Sequence, residues 1–395
     1  MPQAILTLNA GSSSIKFALY ELAGQELDCQ FHGKIEGIGT APHLIATDGD
    51  GHQVTEKHWD GDADLTHEDF LGDLLDWVED HLGGDLLIGV GHRVVHGGTI
   101  YTMPVTIMPA VVEKLAALNP LAPLHQPHNI AAINAVAAVR PNLRQIACFD
   151  TAFHRQQPAV ATRFALPRAL QAEGIQRYGF HGISYEYIYR RLQQVDPTLA
   201  AGRVIVAHLG NGASLCAMQN GRSIDTTMGF TALDGLMMGT RCGSIDPGVV
   251  LYLAEHKQMT PQEIEELLYK QSGLLGVSGI SSDMRSLLDS SDPNAAEAVE
   301  LFCYRIARET GALVASLGGI DGLIFTAGIG ENAPEIRRLA CARMGWLGLQ
   351  MDAEANRQGA EIISTKGSPV TIRVMPTDEE RMIALHTLEH LRQQE

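Results

Sequence analysis

The segment Asn9–Lys16 reads N-A-G-S-S-S-I-K, a glycine, three serines and a lysine between two apolar runs. Glycine lets a ligand approach the backbone. Successive N–H and hydroxyl donors, with an ammonium at hand, form a nest for an anion. Two more glycine turns occur, at His208–Ser214 (HLGNGAS) and Ile324–Asn332 (IFTAGIGEN). The last runs from a β-branched strand into Gly328 and Gly330, with Pro334 opening the next helix. Such a loop offers N–H groups to an anion, or a bed for a nucleoside. None of the three is a G-x-x-x-x-G-K-[ST] or G-x-G-x-x-G loop, and crowded turns without a ligand are the plain alternative. Arg93 stands in G-H-R-V-V-H-G-G and Arg241 in G-T-R-C-G, where a guanidinium fork suits carboxylate or phosphate. His92 and His96 are four apart and could share a metal on a helix, but the Val-Val centre and the glycines favour a strand end. Asp150 closes the apolar run Gln145–Phe149, at the strand end where α/β proteins hold ligands. It could hold Mg²⁺ through water, act as a base, or cap a helix. His181 lies between glycines, His125 among prolines, and Asp378-Glu379-Glu380 follows a strand ending near Met375. Cations for phosphate, a fork for a small anion and carboxylates for a metal make the inventory of phosphoryl transfer.

Strand-like and helix-like segments alternate, which predicts α/β layers. Ala4–Asn9 and Ile15–Leu22 read as strand, tight turn, strand. The pattern returns about half a chain later, with Val204–Ala207 and Leu215–Met218 flanking the second glycine turn. Two similar domains would each open with such a unit, unless the two hairpins are unrelated. Thr66 and Asp69 form a capping box before an apolar stripe that Gly83-Gly84 ends, and Thr260, Pro261 and Glu263 begin another helix in the same manner.

The chain has 395 residues, 29 of them basic and 46 acidic, for a formal net charge of −17. Two domains are expected at this length. The charge excludes a nucleic-acid backbone binder and argues against docking on anionic lipid. No apolar run is long enough to span a membrane, and the start lacks a secretory signal. The six cysteines, Cys29, Cys148, Cys216, Cys242, Cys303 and Cys341, form no C-x-x-C pair and suit a reducing cytoplasm. Glycine, at 40 residues, exceeds the usual ~7%.

Ten segments in order, LNAGSSSIKF, GHRVVHGG, PLAPLHQPHN, FDTAFH, YGFHG, HLGNGAS, MGTRCGSIDPG, SSDMR, FTAGIGEN and PTDEE, resemble the acetate and propionate kinase family of the actin-like and sugar-kinase-like ATPase superfamily. The resemblance implies an α/β fold of two actin-like (ribonuclease-H-like) domains, with mixed sheets flanked by helices around a central cleft. Residues 1–150 with about 384–395 would form the acyl and phosphate side. Residues 151–383 would bind nucleotide and dimerise. It implies reversible, Mg²⁺-dependent transfer from ATP to acetate, giving acetyl phosphate and ADP, by a cytoplasmic homodimer, with Mn²⁺ as a substitute metal. A propionate kinase is the alternative. A nucleotide-switched binding protein would explain the glycine turns but not the two arginines.

By the same resemblance Asn9 and Glu379 hold the metal, and Ser12, Ser14 and Lys16 face the phosphates. Arg93 and Arg241 bind the acetate carboxylate. Asp150 is the essential carboxylate, and His181 and Arg241 stabilise the group in transfer. ATP falls to His208, Leu209, Gly210, Asn211 and Gly212, to Asp283, Met284 and Arg285, and to Gly328, Ile329, Gly330, Glu331 and Asn332, with His125 lining the same site. Val95, Leu124 and Phe180 match the acyl pocket, whose fourth position, a proline in the family, is Ala232 here. Gln126-Pro127-His128 and Asp378 also depart from the common residues.

Overall fold

A computed structural model describes residues 3–11, 14–24, 26–59 and 65–393. The chain divides into two compact units, Met1–Ala152 with Asp378–Glu395, and Phe153–Thr377. The chain returns to the first unit at Asp378, a few residues before the expected 384. The reason is local: Asp378 caps the last helix, Glu379–Arg392, by accepting from Arg381 N, and that whole helix packs on the first unit's sheet.

Among the described residues the first unit holds eight strands: β1 (Gln3–Ala10), β2 (Ser14–Ala23), β3 (Glu26–Glu36), β4 (His43–Asp48), β5 (Gln53–His58), β6 (Leu86–Val94), β7 (Val105–Thr106) and β8 (Gln145–Phe149). Their order is β5-β4-β3-β2-β1-β6-β8-β7. Side chains alternate across the strands. Ile15, Phe17 and Leu19 therefore join Phe70, Leu74 and Val78 of the helix His67–His81 and Ala132 and Val136 of the helix Gln126–Val139. Ala18 and Tyr20 point to the opposite face, where Ala384 and Leu388 of the last helix cover them. That helix crosses β6 at Gly91, where any Cβ would collide with Thr387 and Ile383. The expected capping box is present, with Thr66 accepting from Asp69 N and Asp69 from Thr66 N.

The second unit has β9 (Arg203–Leu209), β10 (Ala213–Gln219), β11 (Arg222–Thr226), β12 (Gly322–Thr326) and β13 (Thr371–Val374), in the order β11-β10-β9-β12-β13. Val204, Val206, Cys216 and Ile324 meet Tyr185, Ile188 and Leu192 of the helix Gly182–Val195. The long helix Pro293–Leu317 lies against β9, β10 and β11. The repeat read in the sequence is real at this level. In each unit an antiparallel three-strand meander ends beside two parallel strands: β3-β2-β1 with β6 and β8, and β11-β10-β9 with β12 and β13. The second capping box, at Thr260 and Glu263, also forms.

Candidate active site

In the first unit the parallel register of β6 and β8 pairs Arg93 with Cys148 and Val94 with Phe149. Asp150 is the next residue, its N–H donating to Val94 O at 3.1 Å. The strand ends thus bring Arg93 and Asp150 side by side. Arg93 Nε lies 3.1 Å from both Asp150 oxygens, Nη2 donates to Oδ2 at 2.8 Å, and Nη1 donates to Glu379 Oε2 at 2.9 Å. Asp150 is 2% exposed. Burial alone would lower the Arg93 pKa, but the two carboxylates outweigh it and raise it. Next to Glu379, burial and the neighbouring charge push the Glu380 carboxyl up.

Asn9 and Lys16 face each other across β1 and β2; Lys16 and the half-buried Ser14 begin β2, while Ser12 falls outside the described residues. Val95 is buried, and its N–H donates to Asn129 Oδ1 at 3.0 Å, while Asn129 Nδ2 donates to Ala10 O at 2.7 Å. One amide thereby links Val95 to the first glycine turn. Leu124 and His125 are half-buried just before the helix Gln126–Val139. His92 lies on β6 and His96 beyond it, both buried, with His96 Nδ1 accepting from Gly98 N. They are not on a helix, so the shared-metal geometry is lost.

In the second unit His181 precedes the helix Gly182–Val195 in a left-handed conformation, φ 57°. Its Nδ1 is 2.8 Å from Ser214 Oγ, which also meets the Tyr185 hydroxyl. If Tyr185 donates to Ser214 and Ser214 to Nδ1, the His181 proton sits on Nε2; this tautomer is assigned from the network. The ring stacks on His208 at 4.2 Å, and His208 Nδ1 is 2.9 Å from Ser184 Oγ. Arg241 Nη1 donates to Ala232 O at 2.6 Å. Burial lowers the Arg241 pKa, and among the described residues no carboxylate pairs with it. A Cβ on Gly212 would stand 2.7 Å from Arg241 Nη2 and 3.2 Å from His181 Nε2. Two nitrogen donors therefore converge where glycine leaves room. Phe180 is buried, its carbonyl 2.9 Å from His154 Nε2.

A cavity of ≈ 740 Å³ opens in the same unit, within the range of small-molecule sites. Gly210, Asn211, Asp283, Met284, Arg285, Gly328, Ile329 and Asn332 line it. Asp283 caps the helix Met284–Leu288 by accepting from Arg285 N and Ser286 N, which fixes that wall. The other expected nucleotide residues stand apart from this lining. Leu209 is buried in β9, while His208 and Gly212 sit with His181. Segment Ala327–Asn332 is a short helix rather than an open loop, started by Ala327 at φ 63°. Glu331 turns away from the cavity: its Oε1 accepts from Ala327 N at 2.7 Å and Thr377 N at 3.2 Å. It braces the turn that carries Gly328.

No role could be read from the sequence for Ser214, Tyr185, Ser184, Asn129 or Arg337. The first four carry no signal beyond a hydroxyl or amide. Arg337 carries one, a charged residue in line with Ala340 and Cys341 on an otherwise apolar helix face. No group of three or more His, Cys, Asp or Glu forms a metal cluster among the described residues. None of the six cysteines forms a disulfide among the described residues, and no described helix is long and apolar enough to cross a membrane.

The sequence profile of the acetokinase family matches residues 4–385. An acetate kinase of Rhodopseudomonas palustris (strain TIE-1) is 56% identical over 393 residues, covering 98% of each chain. A crystal structure of a propionate kinase from Francisella tularensis superimposes with a TM-score of 0.90 at 37% identity, covering 97% of this chain and 98% of the other. The Porphyromonas gingivalis acetate kinase gives 0.85 at 37% identity, covering 98% and 100%.

Proposed function

Because the chain belongs to the acetokinase family, we propose that it transfers the γ-phosphoryl group of ATP to acetate, reversibly, giving acetyl phosphate and ADP. The observation that carries the reading is the pairing of that near full-length match with Arg241, a half-buried guanidinium with no carboxylate partner among the described residues, set beside His181 at a glycine.

Acetate is already ionised at neutral pH, so no strong base is needed. Arg93 receives its carboxylate, and Asp150, grasping the Nε–Nη2 side of the fork, holds that guanidinium in place. Val95, Leu124, Phe180 and Ala232 are the acyl-pocket residues. Charge that builds on the three equatorial phosphoryl oxygens needs fixed donors. Arg241 and His181 Nε2 supply them without being nucleophiles, and Ser214 and Ala232 O hold these two groups. The ≈ 740 Å³ cavity takes the nucleotide.

Asn9 and Glu379 would hold Mg²⁺, with Ser12, Ser14 and Lys16 toward the phosphates. Hard oxygen donors, few in number, suit an ion that keeps waters and phosphate oxygens as its other ligands. Bound there, Mg²⁺ would neutralise phosphate charge.

The chain acts as a cytoplasmic homodimer in this reading. The helix Pro247–Glu255 supports the second part. It buries no residue and exposes Val249, Leu251 and Tyr252, with Ile245 just before it also exposed. Contiguous exposed apolar surface marks an interaction site.

Purified protein with ATP, Mg²⁺, acetate and hydroxylamine should form acetyl hydroxamate. Its absence from folded protein would sink the assignment. Running propionate and butyrate in the same assay, by kcat/KM, sets the acid preference.

A further inference from the structure

Arg337 is the largest of the fully buried side chains, 1% exposed. It lies on the helix Pro334–Ala342 among Ile336, Ala340 and Cys341. A buried arginine is normally matched by an acid. Here every recorded partner is neutral. Nε donates to Asn356 Oδ1 at 2.8 Å, Nη2 to Asn356 O at 3.0 Å, and Nη1 to the carbonyls of Gly330 and Glu331, both at 2.8 Å. Among the described residues it forms no ion pair, and burial lowers its pKa.

The two carbonyls belong to the last turn of the helix Ala327–Asn332, where C=O groups lack intrahelical partners and a cation is favoured. Asn356, itself buried, adds a hydrogen bond from Nδ2 to Pro334 O at 2.8 Å. Gly328, Ile329, Asn332, Ala333 and Pro334 form one wall of the nucleotide cavity. Arg337 and Asn356 grip that wall from behind, at both its helical turn and the start of the next helix. Glu331 grips its front end through Ala327 N.

We infer that Arg337 is a positioning residue of the nucleotide site. Its planar fork ties Gly330 and Glu331 to Asn356 and so sets the spacing of the Gly328–Pro334 wall that receives ATP. A fork is needed because one side chain must reach three backbone carbonyls and an amide oxygen at once. Lysine carries the charge but not that geometry.

The inference rests on the nucleotide reading above, so the parent protein is measured alongside the variants. Arg337→Lys and Arg337→Met are compared for ADP affinity by calorimetry, for KM of ATP and of acetate, and for folding by circular dichroism. Arg337→Met should weaken ADP binding and raise the ATP KM ~10-fold or more, with Arg337→Lys between it and the parent. The acetate KM should stay within about twofold. A residue that only stabilises the fold would lower the melting temperature and leave the nucleotide KM alone. Folded variants that bind ADP within twofold of the parent overturn the inference. A parent that binds no ADP overturns the nucleotide reading instead. If Arg337→Met does not fold, Asn356→Ala removes the anchor while keeping the guanidinium, and must show the same selective loss.

Discussion

Replacing Arg93 by alanine separates two effects that the geometry predicts together. The substitution removes the three Nε and Nη2 contacts to Asp150 and the one from Nη1 to Glu379. Asp150, 2% exposed, is left as a buried charge without its main partner. Breaking a buried ion pair costs ~3–5 kcal/mol. The side chains of Arg93 and Glu379 are 16% and 13% exposed, so water relieves part of this and the low end, ~3 kcal/mol, applies. At ~2–4 °C per kcal/mol for a unit of this size, the first unit should melt ~6–12 °C lower. Loss of a charge-assisted fork to acetate is worth ~1.5–3 kcal/mol, which raises the acetate KM ~10- to 150-fold. The coupled hydroxamate assay reads the KM and calorimetry reads the melting. Adding Asp150→Asn to Arg93→Ala should recover most of the stability, since the stranded charge is gone, and none of the acetate affinity. A folded Arg93→Ala protein with an acetate KM within twofold of the parent would refute the role given to Arg93.

Two further outcomes follow from the packing. Gly212→Ala should cut kcat ~10²-fold or more with the fold intact, because its Cβ would press on Arg241 Nη2 and His181 Nε2; steady-state rates at saturating substrates check this. Acid should destabilise both units. His92 in the first and His154 in the second are pushed down to about 4 from 6.5, chiefly by burial. A group held neutral in the fold contributes stability that is full above its unfolded pKa and is lost as pH falls. Unfolding free energies from urea titrations should therefore drop between pH ~6.5 and ~4, by up to a few kcal/mol per histidine. His154→Gln should flatten that slope for the second unit.

The sequence exposed strands, caps and cation-bearing turns because each has a local cause. The Thr66–Asp69 and Thr260–Glu263 boxes and the alternation of Ile15, Phe17 and Leu19 act within a few residues, whereas the need for glycine at 91 and 212 comes from distant side chains. The Arg93–Asp150–Glu379 cluster could not be read so, because it depends on the β6–β8 register and on a helix nearly 290 residues downstream. Glu331 shows the converse. Its place in a glycine motif suggested a ligand, yet its carboxylate satisfies the N–H groups of Ala327 and Thr377. Asp150 was left open between metal, base and cap, and only the position of the Arg93 guanidinium favours alignment.

The discontinuous first unit has a consequence for how the protein is made. A ribosome completes β1 to β8 long before it emits Glu379–Arg392, the helix that covers Ala18 and Tyr20 and lies on Gly91. At ~5–20 residues per second, the intervening ~225 residues take ~11–45 s. For that interval one face of the nascent sheet lacks its cover, and Arg93 lacks Glu379. The continuous second unit can close first. Nascent chains arrested before residue 378 should expose that face to chaperones and proteases, and acetate should find no finished site on them.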